Sequence, residues 1–460
     1  MTAGSGGALP RRILPGGRTA ALIGLLVVVA FVIRVDQLRS TASPIPPPPA
    51  VSDAAAYRLL GSGLADGDGY VRPFDLQRAG IRVPTAEYPP GFPAMLATAD
   101  VLGVSSETGQ RSILALVGSL TVGLVGLIAR RLGGDGAGLL AAALAAFHPA
   151  LWSTDTSPLA EPLAAFLAMA VVLAALAVHD RPQLWRWLLL GALAGLGGLV
   201  RAEVLLVGAL LIVAMACQLD GHRRHRLGAA ALGLGALLSV LAPWTARNWT
   251  VFDRFVPVSN NVGSVIRGAN CDGAYRGRFR GLWVTNVSAV GGDEVDPGGR
   301  CFTGFDLSDQ NEAEAAAQLR SDGLRYASDH LGEVPGVVAA RVGRTVGLYR
   351  FDQQVNFARF EGRTAKWDRW GTRLFQALAL VAAGGALVPW RRRGLRWVVA
   401  VPLVVVLATV AVTYGNFRFR AVADPAVVVL AALAVVDLLD HRRSSLAARD
   451  AGRHRAGATG

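Results

Sequence analysis

Apolar residues gather into ten runs, at roughly 19–35, 111–129, 136–152, 159–178, 184–200, 203–219, 227–244, 372–390, 395–413 and 422–440, with short polar or basic breaks between most of them. Each run is close to the ~20 residues needed to cross a hydrocarbon core, so the pattern predicts an all-α polytopic membrane protein with about ten transmembrane helices. Two breaks are long. The first, 36–110, opens on the prolines Pro46 to Pro49, which predict an extended spacer. A short amphipathic helix over 54–64 is expected next, with Asp53 placed as its N-cap. The piece 91–103 is apolar but short and reads as an interfacial helix; counted as a span, it would reverse the orientation of everything after it. The second long break, 245–371, holds a Gly-rich stretch over 262–304 that is not expected to be helical. An Ala/Glu-rich amphipathic segment follows at 309–331, which together predict a small mixed domain.

The 460 residues carry a formal charge of +13, and 52% are hydrophobic. Charge of that sign raises the possibility of nucleic acid, but its placement excludes that reading. If the amino terminus is cytoplasmic, Arg130-Arg131, His179 to Arg181, His222 to Arg226, Arg391 to Arg396 and His441 to Arg443 all fall on the cytoplasmic side, where basic residues orient helices during insertion. Both long breaks then lie outside and both termini inside. A cleaved signal peptide also opens on basic and apolar residues, but nine further runs follow without a convincing small-residue cleavage site, so the first run reads as a retained helix. The expected organisation is a membrane module over 1–244 that includes the outer loop, an exoplasmic domain over 245–371, C-terminal helices over 372–440 and a disordered cytoplasmic tail over 441–460. Cys271 and Cys301 share the oxidising side and are expected to pair; Cys217, near a cytoplasmic helix end, is expected to be a buried thiol. No Cys/His spacing of a zinc site occurs.

Polar residues collect at the outer ends of the runs. Asp53, Glu87, His148, Asp155, Glu161, Arg201, Glu203, Arg247, Arg418, Arg420 and Asp424 would face one outer vestibule. Acids and arginines at a membrane surface suit transfer of a sugar from a polyprenyl phosphate, whose tail stays in lipid while its head enters water. A carboxylate takes the proton of the acceptor hydroxyl, and a planar guanidinium fork holds the departing phosphate.

The motifs strengthen this. D-A-A-A-Y at 53–57, P-T-A-E-Y-P-P-G-F-P at 84–93, S-P-L-A-E ending at Glu161, L-V-R-A-E around Arg201, A-P-W-T-A-R-N-W at 242–249 and Y-G-N-F-R-F-R-A-V-A-D-P at 414–425 follow one another in order. Together they resemble the integral-membrane glycosyltransferases of superfamily C, in particular the branch of protein O-mannosyltransferases, lipid A aminoarabinose transferases and their actinobacterial relatives. The resemblance implies that Asp53 is the catalytic base or a direct partner of the acceptor. It also implies that Arg201, Arg247, Arg418 and Arg420 bind the donor phosphate, and that Tyr57, Glu87 and Glu161 contact sugar or acceptor. The family often carries Asp-Glu where this chain has Asp53-Ala54, so a second carboxylate, if one is used, comes from elsewhere. The resemblance fixes no cofactor; a divalent cation at Asp155 and Glu161 stays open, since some relatives use one. The implied partners are a polyprenyl-phosphate-sugar donor, an exported glycan, lipid or protein acceptor, and the bilayer of a bacterial cytoplasmic membrane, with the active site exoplasmic.

Two other readings compete. A flippase of lipid-linked sugars would place its polar groups mid-bilayer on broken helices in inverted repeats, and the chain shows neither feature. A non-catalytic envelope-assembly protein of the same fold is allowed by Ala54. The topology is checked with reporter fusions: those after residues 80 and 300 are expected outside and those after 133 and 222 inside, and a cytoplasmic signal at 80 or 300 would remove the vestibule.

Overall fold

The computed structural model describes residues 17–40, 52–284, 301–302, 310–360, 363–387 and 394–457; the proline spacer at 46–49 lies outside them. In chain order the helices are α1 (Gly17–Ser40), then α2 (Asp53–Ala65), α3 (Pro73–Ala79) and α4 (Gly91–Val101) in the first loop. They continue with α5 (Glu107–Gly133), α6 (Asp135–Ala146), α7 (Pro149–Asp155), α8 (Glu161–Asp180), α9 (Leu184–Gly198), α10 (Ala202–Cys217) and α11 (Arg223–Phe252). The insert carries α12 (Val262–Ala269), α13 (Asp272–Tyr275), α14 (Glu312–Asp329), α15 (Val334–Thr345) and α16 (Phe351–Phe360). The chain closes with α17 (Ala365–Leu387), α18 (Arg396–Val412) and α19 (Asp424–Gly457). Among the described residues there is no strand, only an isolated antiparallel bridge between Val71 and Pro84.

Helices fall where all ten apolar runs predict them. Four of those described, α1, α5, α8 and α11, are long and apolar enough to cross a membrane alone, and α9, α10 and α18 are shorter apolar helices. The chain is therefore a multi-pass membrane protein. The third run is not one helix: α6 and α7 meet at 58°. The break sits at His148-Pro149, where proline supplies no N–H to continue the ladder and the His148 imidazole Nδ1 accepts instead from the Ala150 N–H at 3.3 Å. α8 is the most deeply placed span, packed by α5, α9 and α10, and its first residue is Glu161. Close crossings rely on small residues, as between Gly191 of α9 and the Gly233 backbone of α11.

Three expectations change. Among the described residues the insert is helical rather than mixed, and the start of its Gly-rich part forms α12 and α13. Packing overrides propensity here, because Gly263 lets α12 lie directly on the Ala316 backbone of α14. Residues 441–457, expected to be disordered, continue α19. Cys217, expected buried, is exposed at the end of α10, on the outer surface of the bundle. The Cys271–Cys301 disulfide is present, with Cα atoms 5.6 Å apart. The insert is docked on the last helices by Arg341, which donates to Ala269 O at 2.5 Å and Ala411 O at 2.8 Å, and by the Gly415 N–H on Gly281 O at 2.8 Å.

The disulfide closes a separation of 30 residues, which in the chain-entropy account stabilises by about 3–4 kcal/mol. Cys271→Ser is expected to lower the melting temperature in detergent to the value that reductant produces in the wild type; an unchanged melt in both would contradict a stabilising bridge.

Candidate active site

The first turn of α2 is capped by Ser52, whose Oγ accepts from the Ala55 N–H at 3.2 Å, and not by Asp53. Relieved of capping, Asp53 turns its carboxylate outward. Oδ1 accepts from the Tyr88 hydroxyl at 2.9 Å and Oδ2 pairs with Arg418 Nη1 at 2.5 Å. Arg418 sits in a 3-10 turn, Phe417–Val422, capped by the Asn416 side chain on the Arg418 N–H at 3.0 Å. Its Nε reaches Glu161 Oε1 at 2.6 Å, and Arg201 Nη1 donates to the same oxygen at 2.7 Å. Arg201, the residue before α10, also pairs through Nη2 with Glu203 Oε1 at 2.9 Å and lies over the Phe419 ring at 5.5 Å. Three carboxylates and two guanidiniums therefore alternate in one line. It runs from Glu203 through the Glu161 side chain, 1% exposed, to that of Asp53, 39% exposed.

Three of these residues sit at helix beginnings: Asp53 opens α2, Glu161 opens α8 and Arg201 precedes α10. Their mutual contacts bring those N-termini together, so unpaired N–H groups and partial positive charge converge on the two arginines, an arrangement that favours an anion. Glu161 Oε2 is buried without a hydrogen-bond partner among the described residues. Tyr57 is buried against Asp53, edge-on to Tyr88 and Phe92 with ring centroids 4.9 Å apart in each case. Burial, then the Asp53 and Glu161 charges, push its phenol well up, so it stays neutral.

The first loop returns to this site through its proline segment. The Gly91 N–H donates to Leu199 O at 2.7 Å, two residues before Arg201, and a side chain at 91 would collide with that backbone. Glu312 of α14 secures the segment from the other side: its carboxylate accepts from the Ala86 N–H and the Thr85 hydroxyl, both at 2.7 Å. Glu87 follows and is exposed to solvent. Loss of hydration there, with the Glu312 and Asp53 charges, raises its carboxyl to about 7.

The expected phosphate set divides. Arg201 and Arg418 share Glu161, but Arg247 spends its guanidinium on Thr85 O at 2.7 Å and Tyr70 O at 2.8 Å, clamping the first loop. Arg420 turns away from Arg418 into the interior. There it pairs with Asp424 at 3.1 Å, donates to Thr372 Oγ1 at 3.2 Å and stacks on Phe375, because with about three residues per turn two positions apart point to different sides of the 3-10 turn. Asp155 is likewise apart from Glu161, held by Arg34 Nη2 at 2.6 Å. Both carboxylates expected to share a cation are thus committed to different arginines, and no group of three or more His, Cys, Asp or Glu among the described residues is placed to hold a metal ion. Tyr88 and Glu312 were not anticipated as partners. Tyr88 lies inside a quoted motif, whereas Glu312 is 227 residues from Thr85 and carries no local signal.

Residues 87–246 match the family model of dolichyl-phosphate-mannose-protein mannosyltransferases, a segment that holds Glu87, Glu161 and Arg201. Among solved structures, the chain is similar to the apo oligosaccharyltransferase of Archaeoglobus fulgidus at a TM-score of 0.50 and 12% identity, covering 94% of this chain and 52% of that one. The chain shares the fold of that archaeal membrane enzyme. It is also similar to the same archaeal enzyme in complex with Zn and sulfate (TM-score 0.48, 14% identity, 93% and 51% covered) and to ArnT of Cupriavidus metallidurans bound to undecaprenyl phosphate (0.45, 16%, 91% and 78%). No curated protein matches by sequence. The chain spans about half the length of the archaeal structures it matches. Within this fold, the acid–arginine line lies where α2, α8, α10 and the turn before α19 meet.

Removing one partner of a buried pair leaves an uncompensated charge, at a cost of about 3–5 kcal/mol. Arg418→Ala is expected to lower the melting temperature, and adding Glu161→Gln to recover part of the loss. A cycle in which the two changes add without coupling would show that the pair is not the joint described here.

Proposed function

We propose that this protein transfers a sugar from a polyprenyl-phosphate donor to an exported lipid, glycan or protein acceptor at the outer face of a bacterial cytoplasmic membrane, with both termini cytoplasmic. The observation that carries the reading is Arg418 bridging buried Glu161 to solvent-facing Asp53, with Arg201 beside it. The description of the matched family, which names a dolichyl phosphate sugar, supports the donor class.

Asp53 accepts the hydrogen bond of the acceptor hydroxyl and takes its proton as the oxygen attacks the anomeric carbon. The bond from that carbon to the phosphate oxygen breaks, and its electron pair leaves with the phosphate. Attack from the face opposite the phosphate inverts the anomeric centre. Arg201 and Arg418, which pair with Glu161 and Asp53, present planar forks to the departing oxygens. Glu161, whose Oε2 is unsatisfied, and Tyr57 face the sugar. Glu87 faces the acceptor side. The site chemistry suits a hexose or a pentose alike.

Proteoliposomes supplied with labelled polyprenyl-phosphate mannose, arabinose or galactose test this. The wild type is expected to transfer at least one sugar. Asp53→Asn is expected to lower kcat by about 10²–10⁴-fold, and Arg201→Lys chiefly to raise KM for the donor, since an ammonium cannot reproduce the fork. Undiminished transfer by Asp53→Asn would remove Asp53 from the chemistry.

A further inference from the structure

A carboxylate held at one oxygen can still turn about that contact, whereas one held at both oxygens by different elements has a fixed plane. Asp53 is the second case. Its Oδ2 meets Arg418 Nη1 at 2.5 Å from the turn before α19, and its Oδ1 accepts from the Tyr88 hydroxyl at 2.9 Å from the proline segment. Arg418 divides its guanidinium between Asp53 and Glu161. The Tyr88 hydroxyl has one proton to give, and gives it to Asp53.

Tyr88 is firmly mounted for this. The Tyr70 hydroxyl donates to the Tyr88 carbonyl at 2.9 Å and reaches the Pro89 carbonyl at 3.3 Å, while the Tyr70 carbonyl is itself gripped by Arg247 Nη2 at 2.8 Å. Pro89 disfavours the helical region for the Tyr88 backbone. The ring lies edge-on to Tyr57, with centroids 4.9 Å apart, and two residues upstream the Ala86 N–H is held by Glu312. Loss of hydration, then the Asp53 and Glu87 charges, push the Tyr88 phenol well above the usual tyrosine range, so it stays a neutral donor.

We infer that Tyr88 is a positioning residue of the transfer: its hydroxyl ties back Oδ1 of Asp53, so that Oδ2, on the side of Arg418, receives the acceptor proton. The inference rests on the transferase reading above. Atoms balance: the acceptor oxygen gains the anomeric carbon, the phosphate keeps the electron pair of the broken bond, the hydroxyl proton goes to Asp53 Oδ2, and Tyr88 keeps its own. Of the two bonds that set the carboxylate plane, loss of the phenol leaves the one to Arg418, and the carboxylate is then free to turn about it. Misplacing a reacting group by about 1 Å costs about 10²-fold in rate.

The test is Tyr88→Phe, which keeps the ring against Tyr57 and removes only the hydroxyl. In proteoliposomes supplied with a labelled polyprenyl-phosphate sugar, kcat is expected to fall by about 10–10²-fold with donor KM unchanged. The melting temperature is expected to stay near that of the wild type, since the freed Asp53 oxygen can reach water. Added to Asp53→Asn and followed in long single-turnover incubations, Tyr88→Phe is expected to cost nothing further, because no base is left to aim. Wild-type kcat in Tyr88→Phe, or its full loss repeated in the Asp53→Asn background, overturns the positioning role and leaves the transferase reading standing. Absence of transfer by the wild type from every donor overturns the transferase reading and, with it, this inference.

Discussion

A carboxylate at the head of the most buried span organises this protein. Glu161 opens α8 inside the bundle, where an isolated charge would be prohibitively desolvated, and it is tolerable only because two guanidiniums meet it. One comes from the residue before α10. The other comes from a turn 257 residues later in the chain. The pairing therefore dictates where the loop before α8, the α9–α10 connection and the turn before α19 must lie. The first loop is then drawn in, because Arg418 turns its Nη1 to Asp53. The same bonds that satisfy a buried charge thus assemble a solvent-facing carboxylate beside two phosphate-compatible cations.

The outer elements hold that geometry in place. Arg247 fastens the Tyr70 and Thr85 segments of the first loop through backbone carbonyls, and Glu312 reaches from the insert to the proline segment. Arg341 joins the insert to the end of α18, just before the turn that carries Arg418. These contacts come from segments far apart in sequence, so the site is fixed from three directions. That rigidity suits electrostatic work, in which cations must already be aimed where charge develops.

Much of this was legible in the chain. Apolar runs near membrane length located the helices, and the placement of acids and arginines at one set of run ends pointed to Asp53, Glu161, Arg201 and Arg418, which the structure joins. What was not legible has physical reasons. Whether Ser52 or Asp53 caps α2 turns on a one-residue difference in where the helix begins, below what periodicity resolves. Arg418 and Arg420 look equivalent in sequence, yet a tight turn sends one to the site and the other to Asp424. The Gly-rich insert lacks helix propensity and is helical because Gly263 permits close packing on α14. Glu312 and Tyr88 act through contacts that only the folded chain creates.

The central claim is that a lipid-linked phosphate is held between Arg201 and Arg418. Determining the structure by electron cryomicroscopy with a non-hydrolysable polyprenyl-phosphonate sugar tests it most directly. Phosphonate density within hydrogen-bond reach of both guanidiniums, with the anomeric carbon facing Asp53, is the predicted result. Density at Arg247 or Arg420 instead, with the Arg201–Glu161–Arg418 bridge unchanged, would contradict it.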